Sequence, residues 1–170
     1  MVRHTLKSLG PKVLATRMVR DYVRQLYAPA AGNARLLNSD YAGAATLAAW
    51  KKKVKAAWPS VRVEHVESSG VGDAAEVGAV LNVRAFVSLG DLTPDDVHVQ
   101  VVHGRIDSND LLTDSTVSDL DLADTYDGGR YRFDGELVLD SSGPFGYTVR
   151  VIPRNDLLTS TAELGVIALA

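Results

Sequence analysis

From Val61 onward, apolar residues recur at every second position, and this alternation limits the fold more than any other feature of the sequence. The segments "VRVEHVE", "AVLNVRAFVSL", "VHVQVVHG", "GRYRFDGELVLD", "FGYTVRVIP" and "ELGVIALA" each turn apolar side chains to one face of an extended backbone and polar ones to the other. Many of them are separated by "GDLTPDD", "YDGG" and "DSSGP", whose residues favour turns. A seventh segment, "STVSDLDL", fits the same spacing. Six or seven short antiparallel strands over roughly 110 residues predict an immunoglobulin-like β-sandwich. The alternation aims Val61, Val63, Leu81, Val83, Val87, Val99, Val101, Tyr131, Phe133, Leu137, Phe145, Tyr147, Val149, Val151 and Val166 inward. Tyr147, early in a late strand, is a candidate tyrosine corner. "SSGVGDAAEVG" is glycine-rich but precedes a strand, so it offers no helix N-terminus to a phosphate and reads as a strand connection or exposed loop.

Before Val61 the period is helical. Pro11 and Lys12 open a pattern in which Val19, Tyr22, Val23, Leu26 and Tyr27 recur at spacings of three and four, with Arg17, Arg20, Asp21 and Arg24 mostly on other faces. One amphipathic helix over 11–27 is expected, and "APAAGN" should end it, because proline, glycine and Asn33 favour turns. A second helix should start at Asp40 as N-cap and run through "YAGAATLAAWKKKVKAAW" to a stop at Pro59. Leu47, Trp50, Val54 and Trp58 then fall near one face, and Lys51, Lys52, Lys53 and Lys55 gather toward the carboxyl end, where cations suit the helix dipole. The expected fold is mainly β: an immunoglobulin-like antiparallel β-sandwich over 60–170 preceded by two α-helices in a basic segment over 1–59.

Charge sharpens that division. Eleven Lys or Arg against Asp21 and Asp40 give the first sixty residues a net of +9, which leaves −12 for the remainder of a chain whose total is −3. Two pieces with different partners, or two pieces that attract each other, are implied. With 46% hydrophobic residues in 170, one core of useful size is available. Cysteine is absent, which excludes disulfides, zinc-thiolate sites and thiol nucleophiles. The amino terminus lacks the apolar run of a signal peptide, and no window approaches the ~20 apolar residues of a membrane span. No membrane association is expected, and the cytoplasm is the expected compartment.

Chemical motifs are few. His98 and His103 differ by an odd number and so point to opposite faces of a flat strand, and no helix carries an i, i+4 pair of histidines; His4, His65, His98 and His103 therefore read as structural or solvated. The acidic run "RIDSNDLLTDSTVSDLDLADTYDGG" suggests calcium, but an EF-hand counted from Asp107 would need glycine at Leu112 and glutamate at Ser118. A carboxylate pair for glycoside hydrolysis leaves no mark in sequence, and nineteen acids on a sandwich are mostly solubilising surface. No GxSxG elbow, P-loop or GxGxxG occurs. Lys51 to Lys55 with Trp50 and Trp58 could make a cationic stacking face for nucleic acid, yet both indoles share the apolar stripe, which favours packing and disfavours nucleic acid as a partner. No catalytic, cofactor-binding or metal-ligating residue is assigned.

The segment "LKSLGPKVLATRMVRDYVRQLY" resembles the terminal part of the catalytic core in α-glucan (glycogen or maltodextrin) phosphorylases of the bacterial and archaeal type. In that family a run of the form S-x-x-x-x-P, then R-M-V-x-x-Y, makes the helix by which the second of two Rossmann-like domains crosses back onto the first. Ser8, Pro11, Arg17, Met18, Val19 and Tyr22 match it, with Pro11 closer to Ser8 than in that form. "VRVEHVESSGVGDAAEVGAVLNVRAFVSLGDLTPDDVHVQVV" and "GPFGYTVRVIPRNDLL" are similar to the extra carboxyl-terminal domain of actinobacterial members, so the resemblance covers nearly the whole chain.

The resemblance implies a parent glycosyltransferase that cleaves α-1,4-glucan with phosphate to glucose 1-phosphate, using pyridoxal phosphate. The family's cofactor lysine lies in an S-G-T-S-G-M-K type segment upstream in the catalytic core. No such segment is present, so no cofactor role is carried to Lys7, Lys12 or any other lysine, and this part alone is expected to be non-catalytic. Met1 would be an internal or fragment start. The implied role is structural, bracing the core or mediating oligomer contacts, with Val19, Tyr22, Val23 and Leu26 as the stripe that docks on the catalytic core. The other reading is a glucan-binding module; Tyr126 and Tyr131 are the candidate glucan contacts, although Tyr131 is also counted inward. A bare apolar stripe can alternatively fold back or bring copies of the chain together. Removal of residues 1–34 is therefore expected to change solubility or self-association in size-exclusion chromatography, and no change in either would overturn the assignment of the stripe.

Overall fold

The alternating segments form eight strands among the described residues: β1 (Arg62–Ser69), β2 (Val80–Ser88), β3 (Val97–Ile106), β4 (Leu112–Asp119), β5 (Asp121–Tyr126), β6 (Arg130–Val138), β7 (Phe145–Pro153) and β8 (Ala168–Leu169). The computed structural model describes residues 4, 7–37, 41–71, 76–109, 111–140 and 143–170, apart from the side chains at positions 11 and 13. The chain divides into two compact units, Met1–Ala48 with Leu157–Thr159 and Ala49–Asp156 with Ser160–Ala170.

In the second unit the strands make two four-stranded antiparallel sheets, ordered β1-β2-β6-β5 and β4-β3-β7-β8. Strand β2 shows the reason: Leu81, Val83, Ala85 and Val87 are buried, while Asn82, Arg84 and Phe86 between them are not. The same parity buries Val97, Val99 and Val101 on β3, Phe133 and Leu137 on β6, and Val149 and Val151 on β7. Each fully buried valine or leucine contributes roughly 1.5–3 kcal/mol. Of the residues expected inward, Val63, Tyr131, Phe145, Tyr147 and Val166 are only half-buried. Leu89 and Leu139 continue the inward parity just past β2 and β6, and Leu92, Leu120 and Leu164 add to the core from segments between strands.

"STVSDLDL" is not one strand but parts of two. The chain leaves the β3-β4 pairing at Asp119 and joins β6 from Asp121, so it crosses from one sheet to the other at Leu120. Leu120 is buried there and donates its N–H to the Val99 carbonyl at 2.8 Å. Alternation reports which face of a strand is buried but not which sheet owns it. "ELGVIALA" shrinks to the two residues of β8, paired with β7. The segment read as a strand connection, "SSGVGDAAEVG", has positions 72–75 outside the described residues.

The helical expectation needs two corrections. Helix 11–27 is instead α1 (Gly10–Val13), an extended residue at Leu14, and α2 (Ala15–Tyr22). The guanidinium of Arg17 reaches back to the Lys12 carbonyl, which satisfies one of the acceptors left at the end of α1. Nor does "APAAGN" end the helix: α2 runs on through a π-helical turn at Val23–Tyr27 into α3 (Ala28–Leu36). Pro29, just inside α3, has no N–H to give to the preceding turn, so one bond of the continuous ladder is missing there. The Ala28 N–H bonds to the Val23 carbonyl, five residues back, and this widened turn gives the proline ring room against the preceding carbonyls. The next helix, α4 (Ala42–Ala57), ends in a 3-10 turn at Trp58–Ser60 that contains Pro59, as expected. Its expected N-cap, Asp40, lies outside the described residues.

Gly128 and Gly129 turn β5 into β6, with φ of +76° and +72°. A Cβ on Gly129 would stand 2.6 Å from the Gly90 carbonyl oxygen, whereas one on Gly128 would meet nothing within 4 Å. Gly128→Ala is expected to cost about 1–2 kcal/mol, the strain of a left-handed alanine. Gly129→Ala should cost distinctly more, because it also pushes two backbone segments apart, and urea unfolding of both variants measures the difference.

Candidate functional site

Asp96 gathers four hydrogen-bond donors in the second unit. It ends the 3-10 turn Pro94–Asp96, where Thr93 caps the turn and the aspartate returns the bond in a reciprocal box. Its Oδ2 accepts from the Thr93 N–H at 3.0 Å, the Thr93 hydroxyl at 3.0 Å and the Lys53 ammonium at 2.8 Å. Its Oδ1 accepts from the Trp50 indole N–H at 2.8 Å. Burial opposes ionisation of this carboxyl, but the bonds from Lys53, the Thr93 amide, Trp50 and the Thr93 hydroxyl outweigh it and lower the pKa from 3.8 to about 2. Lys51, one turn away from Val54 on the same helix, pairs with Glu163.

These bonds engage part of the basic cluster of α4, while Lys52 and Lys55 stay exposed. Trp58 is buried, Trp50 is half-buried against Asp96, and two of the four clustered lysines already hold carboxylates of the sandwich. The Trp58 indole N–H is buried without an acceptor among the described atoms, which costs about 1–3 kcal/mol against the gain from burying its ring.

Other candidates fall apart spatially. Among the described residues no three of His, Asp and Glu gather as a set able to hold a metal ion. Asp107 accepts the N–H groups of Asn109 at 2.8 Å and Leu111 at 3.0 Å; the Leu111 bond first, then that of Asn109, lower its pKa, so it shapes a turn before β4. Asp110 of the same run lies outside the described residues. Tyr126 and Tyr131 stand on opposite faces of their sheet: Tyr131 opposes inward Val87, and Tyr126 opposes outward Arg130. Tyr126 is 41% exposed. In the first unit Val19, Tyr22, Val23 and Leu26 are all exposed along α2 and the π-turn.

The comparisons with known proteins agree with this anatomy. The family described as the glycogen phosphorylase C-terminal domain matches residues 58–170, two thirds of the chain. The chain belongs to that family. Over its whole length it is 45% identical to a glycogen phosphorylase of Mycobacterium bovis and 44% identical to one of Mycobacterium tuberculosis, in each case covering 20% of the relative. A maltodextrin phosphorylase of Thermococcus litoralis is 30% identical over 98% of the chain and again 20% of the relative. The chain thus spans about a fifth of the length of the curated relatives it matches. No solved structure matches it.

Pyridoxal phosphate chemistry needs a lysine amine that can form a Schiff base. Lys7, Lys12, Lys52 and Lys55 are exposed, and the ammonium groups of Lys51 and Lys53 are held by Glu163 and Asp96. None stands in the buried pocket that a Schiff-base amine requires. Among the described residues, no helix is long and apolar enough to cross a membrane.

Sequence reading missed Asp96, which it counted with the surface acids. The signal was present: Thr93 three residues before Asp96 is a capping-box spacing. Because the folded pKa lies below the unfolded one, the contribution of Asp96 is complete above about pH 5 and drains away as pH falls toward 2. On the order of 2 kcal/mol is at stake. Asp96→Asn is therefore expected to lower the urea midpoint at pH 7 and to flatten its decline between pH 4 and pH 2 relative to wild type.

Proposed function

We propose that this chain is the non-catalytic C-terminal region of an α-glucan phosphorylase, in which a β-sandwich is joined to the catalytic core through the basic helices of 1–59. The observation that carries this reading is the identity of 45% along the whole chain to a fifth of a glycogen phosphorylase. The parent reaction, phosphorolysis of α-1,4-glucan to glucose 1-phosphate with pyridoxal phosphate, then belongs to residues outside this segment, in a cytoplasmic enzyme. The exposed Val19, Tyr22, Val23 and Leu26 supply an apolar stripe suited to the core, and helix packing of such a stripe is the ordinary way to bury it. The sandwich over 60–170 braces the core or mediates oligomer contacts.

The strand order supports an immunoglobulin-like domain for 60–170. Immunoglobulin sheets run A-B-E-D and C-F-G, and lettering the strands here in sequence as A, B, C, C′, D, E, F and G turns β1-β2-β6-β5 and β4-β3-β7-β8 into A-B-E-D and C′-C-F-G. 

A phosphorylase catalytic core lacking its last fifth provides the test. The chain alone is expected to release no glucose 1-phosphate from maltodextrin and phosphate, and to co-elute with the separately produced core. Val19→Asp with Leu26→Asp should abolish co-elution while leaving the unfolding midpoint of the sandwich unchanged. A core that ignores the wild-type chain would overturn the proposal.

A further inference from the structure

Three rings stand in a row on the outer face of the β1-β2-β6-β5 sheet. The His65 and Phe86 ring centres are 6.0 Å apart and those of Phe86 and Tyr126 6.4 Å, with planes inclined by only 31° and 30°. Register pairs the first two rings directly, and Tyr126, which opposes Arg130, comes to Phe86 from a diagonal position two strands away. His65 opposes Phe86, Phe86 opposes Arg132 and Arg132 opposes Asp124, while the intervening Val66, Ala85 and Phe133 take the inward parity. Tyr126 and His65 are exposed and Phe86 is half-buried.

Planar hydrogen-bonding groups frame the rings. The Arg132 guanidinium is fixed by Asp124 at 2.7 Å and Asp134 at 3.0 Å, and Arg84 lies 3.9 Å from Asp134. On the same face a hollow of about 510 Å³ is lined by polar Ser69, Asn82, Arg84, Asp134 and Glu136, together with Val83 and Gly135. The whole arrangement sits on strands, so its geometry is set before any ligand arrives and little ordering remains to be done on binding.

We propose that this face is a carbohydrate-binding site, with the rings of an α-glucan stacking along Tyr126, Phe86 and His65 and their hydroxyls bonding to Arg84, Arg132 and the neighbouring carboxylates. The choice of α-glucan as the sugar rests on the phosphorylase reading above; the choice of a sugar rests on the surface. A pyranose presents an apolar C–H face to an aromatic ring and a rim of neutral hydroxyls to ionised groups, and this face offers both. A nucleic acid would also stack, but it needs an electropositive track for its backbone. Here the outward Arg62, Arg84, Arg130 and Arg132 are interspersed with Glu67, Asp121, Asp124, Asp134 and Glu136, so no unbroken electropositive track forms. A protein helix would need a continuous apolar patch, whereas these rings are interrupted by charge. The site also revises the candidate pair of glucan contacts: Tyr126 remains, and Phe86 and His65 take the place of Tyr131, which faces the other way.

The test uses the full 170-residue chain in native gels containing glycogen, with calorimetric titration of maltoheptaose. Wild type is expected to be retarded by glycogen and to bind maltoheptaose. Tyr126→Ala should weaken binding at least tenfold with an unchanged urea midpoint, Tyr126→Phe should bind as wild type, and Tyr27→Ala, an exposed ring of the first unit, should have no effect. Three results would overturn the site: no response to glycogen or maltoheptaose, undiminished binding by the Tyr126→Ala and Phe86→Ala double variant, or binding of polyuridylate in preference to glucan. Tighter binding of cellohexaose than of maltoheptaose would overturn the α-glucan assignment. A chain that joins the catalytic core yet ignores glucan would overturn this site alone, and a chain that binds glucan but not the core would overturn the docking role alone.

Discussion

Burial of one face of each strand governs what the other face can do. Val83, Val87, Val101, Val149 and Val151 are completely buried, and a slip of one residue in any of their strands would turn that row to solvent and its polar neighbours inward. Register is therefore held by the core, and register decides which outward residues become neighbours. Phe86 meets His65 on one side and Arg132 on the other because Ala85 and Val87, its chain neighbours, are committed to the interior. The aromatic row and the Arg132 cluster are outward consequences of an inward constraint, assembled from the four strands β1, β2, β5 and β6.

Asp96 plays a comparable part for the end of α4. A nearly buried carboxylate is costly unless its oxygens are fully engaged, and here it has four donors from two parts of the chain. Trp50 and Lys53 come from one helix face and Thr93 from the turn that presents the aspartate, so the bond network joins local capping to long-range attachment. Part of the charge division along the chain acquires a physical role in this way. Lys51 and Lys53 answer acids of the sandwich at contact distance, within the ~8 Å over which exposed charges still act at physiological salt. Two of the four clustered lysines are thereby engaged.

The first unit follows different rules. Its apolar stripe is exposed along α2 and the π-turn, and its helix continues through a proline and a glycine that would normally end one. A wide π-turn makes this possible, and such turns are local departures that only the backbone reveals. The stripe leaves Val19, Tyr22, Val23 and Leu26 exposed together on one unit of the chain.

The alternation from Val61 determined by itself that the chain is mainly β and which side chains face inward, because side-chain direction in a strand follows parity alone. It also placed α4 and its stop at Pro59, since a 3.6-residue apolar stripe ending at proline leaves few alternatives. Even the outward direction of Phe86 was legible, an aromatic at a polar position of "AVLNVRAFVSL". Only the tertiary structure decided that "STVSDLDL" is shared between two sheets, that Leu120 is the crossing point, and that Asp96 holds Trp50 and Lys53. It alone brought Phe86 beside His65 and Tyr126 while turning Tyr131 away. Parity is a property of each strand, but neighbours across a sheet depend on strand order and register, which arise from the packing of the whole domain.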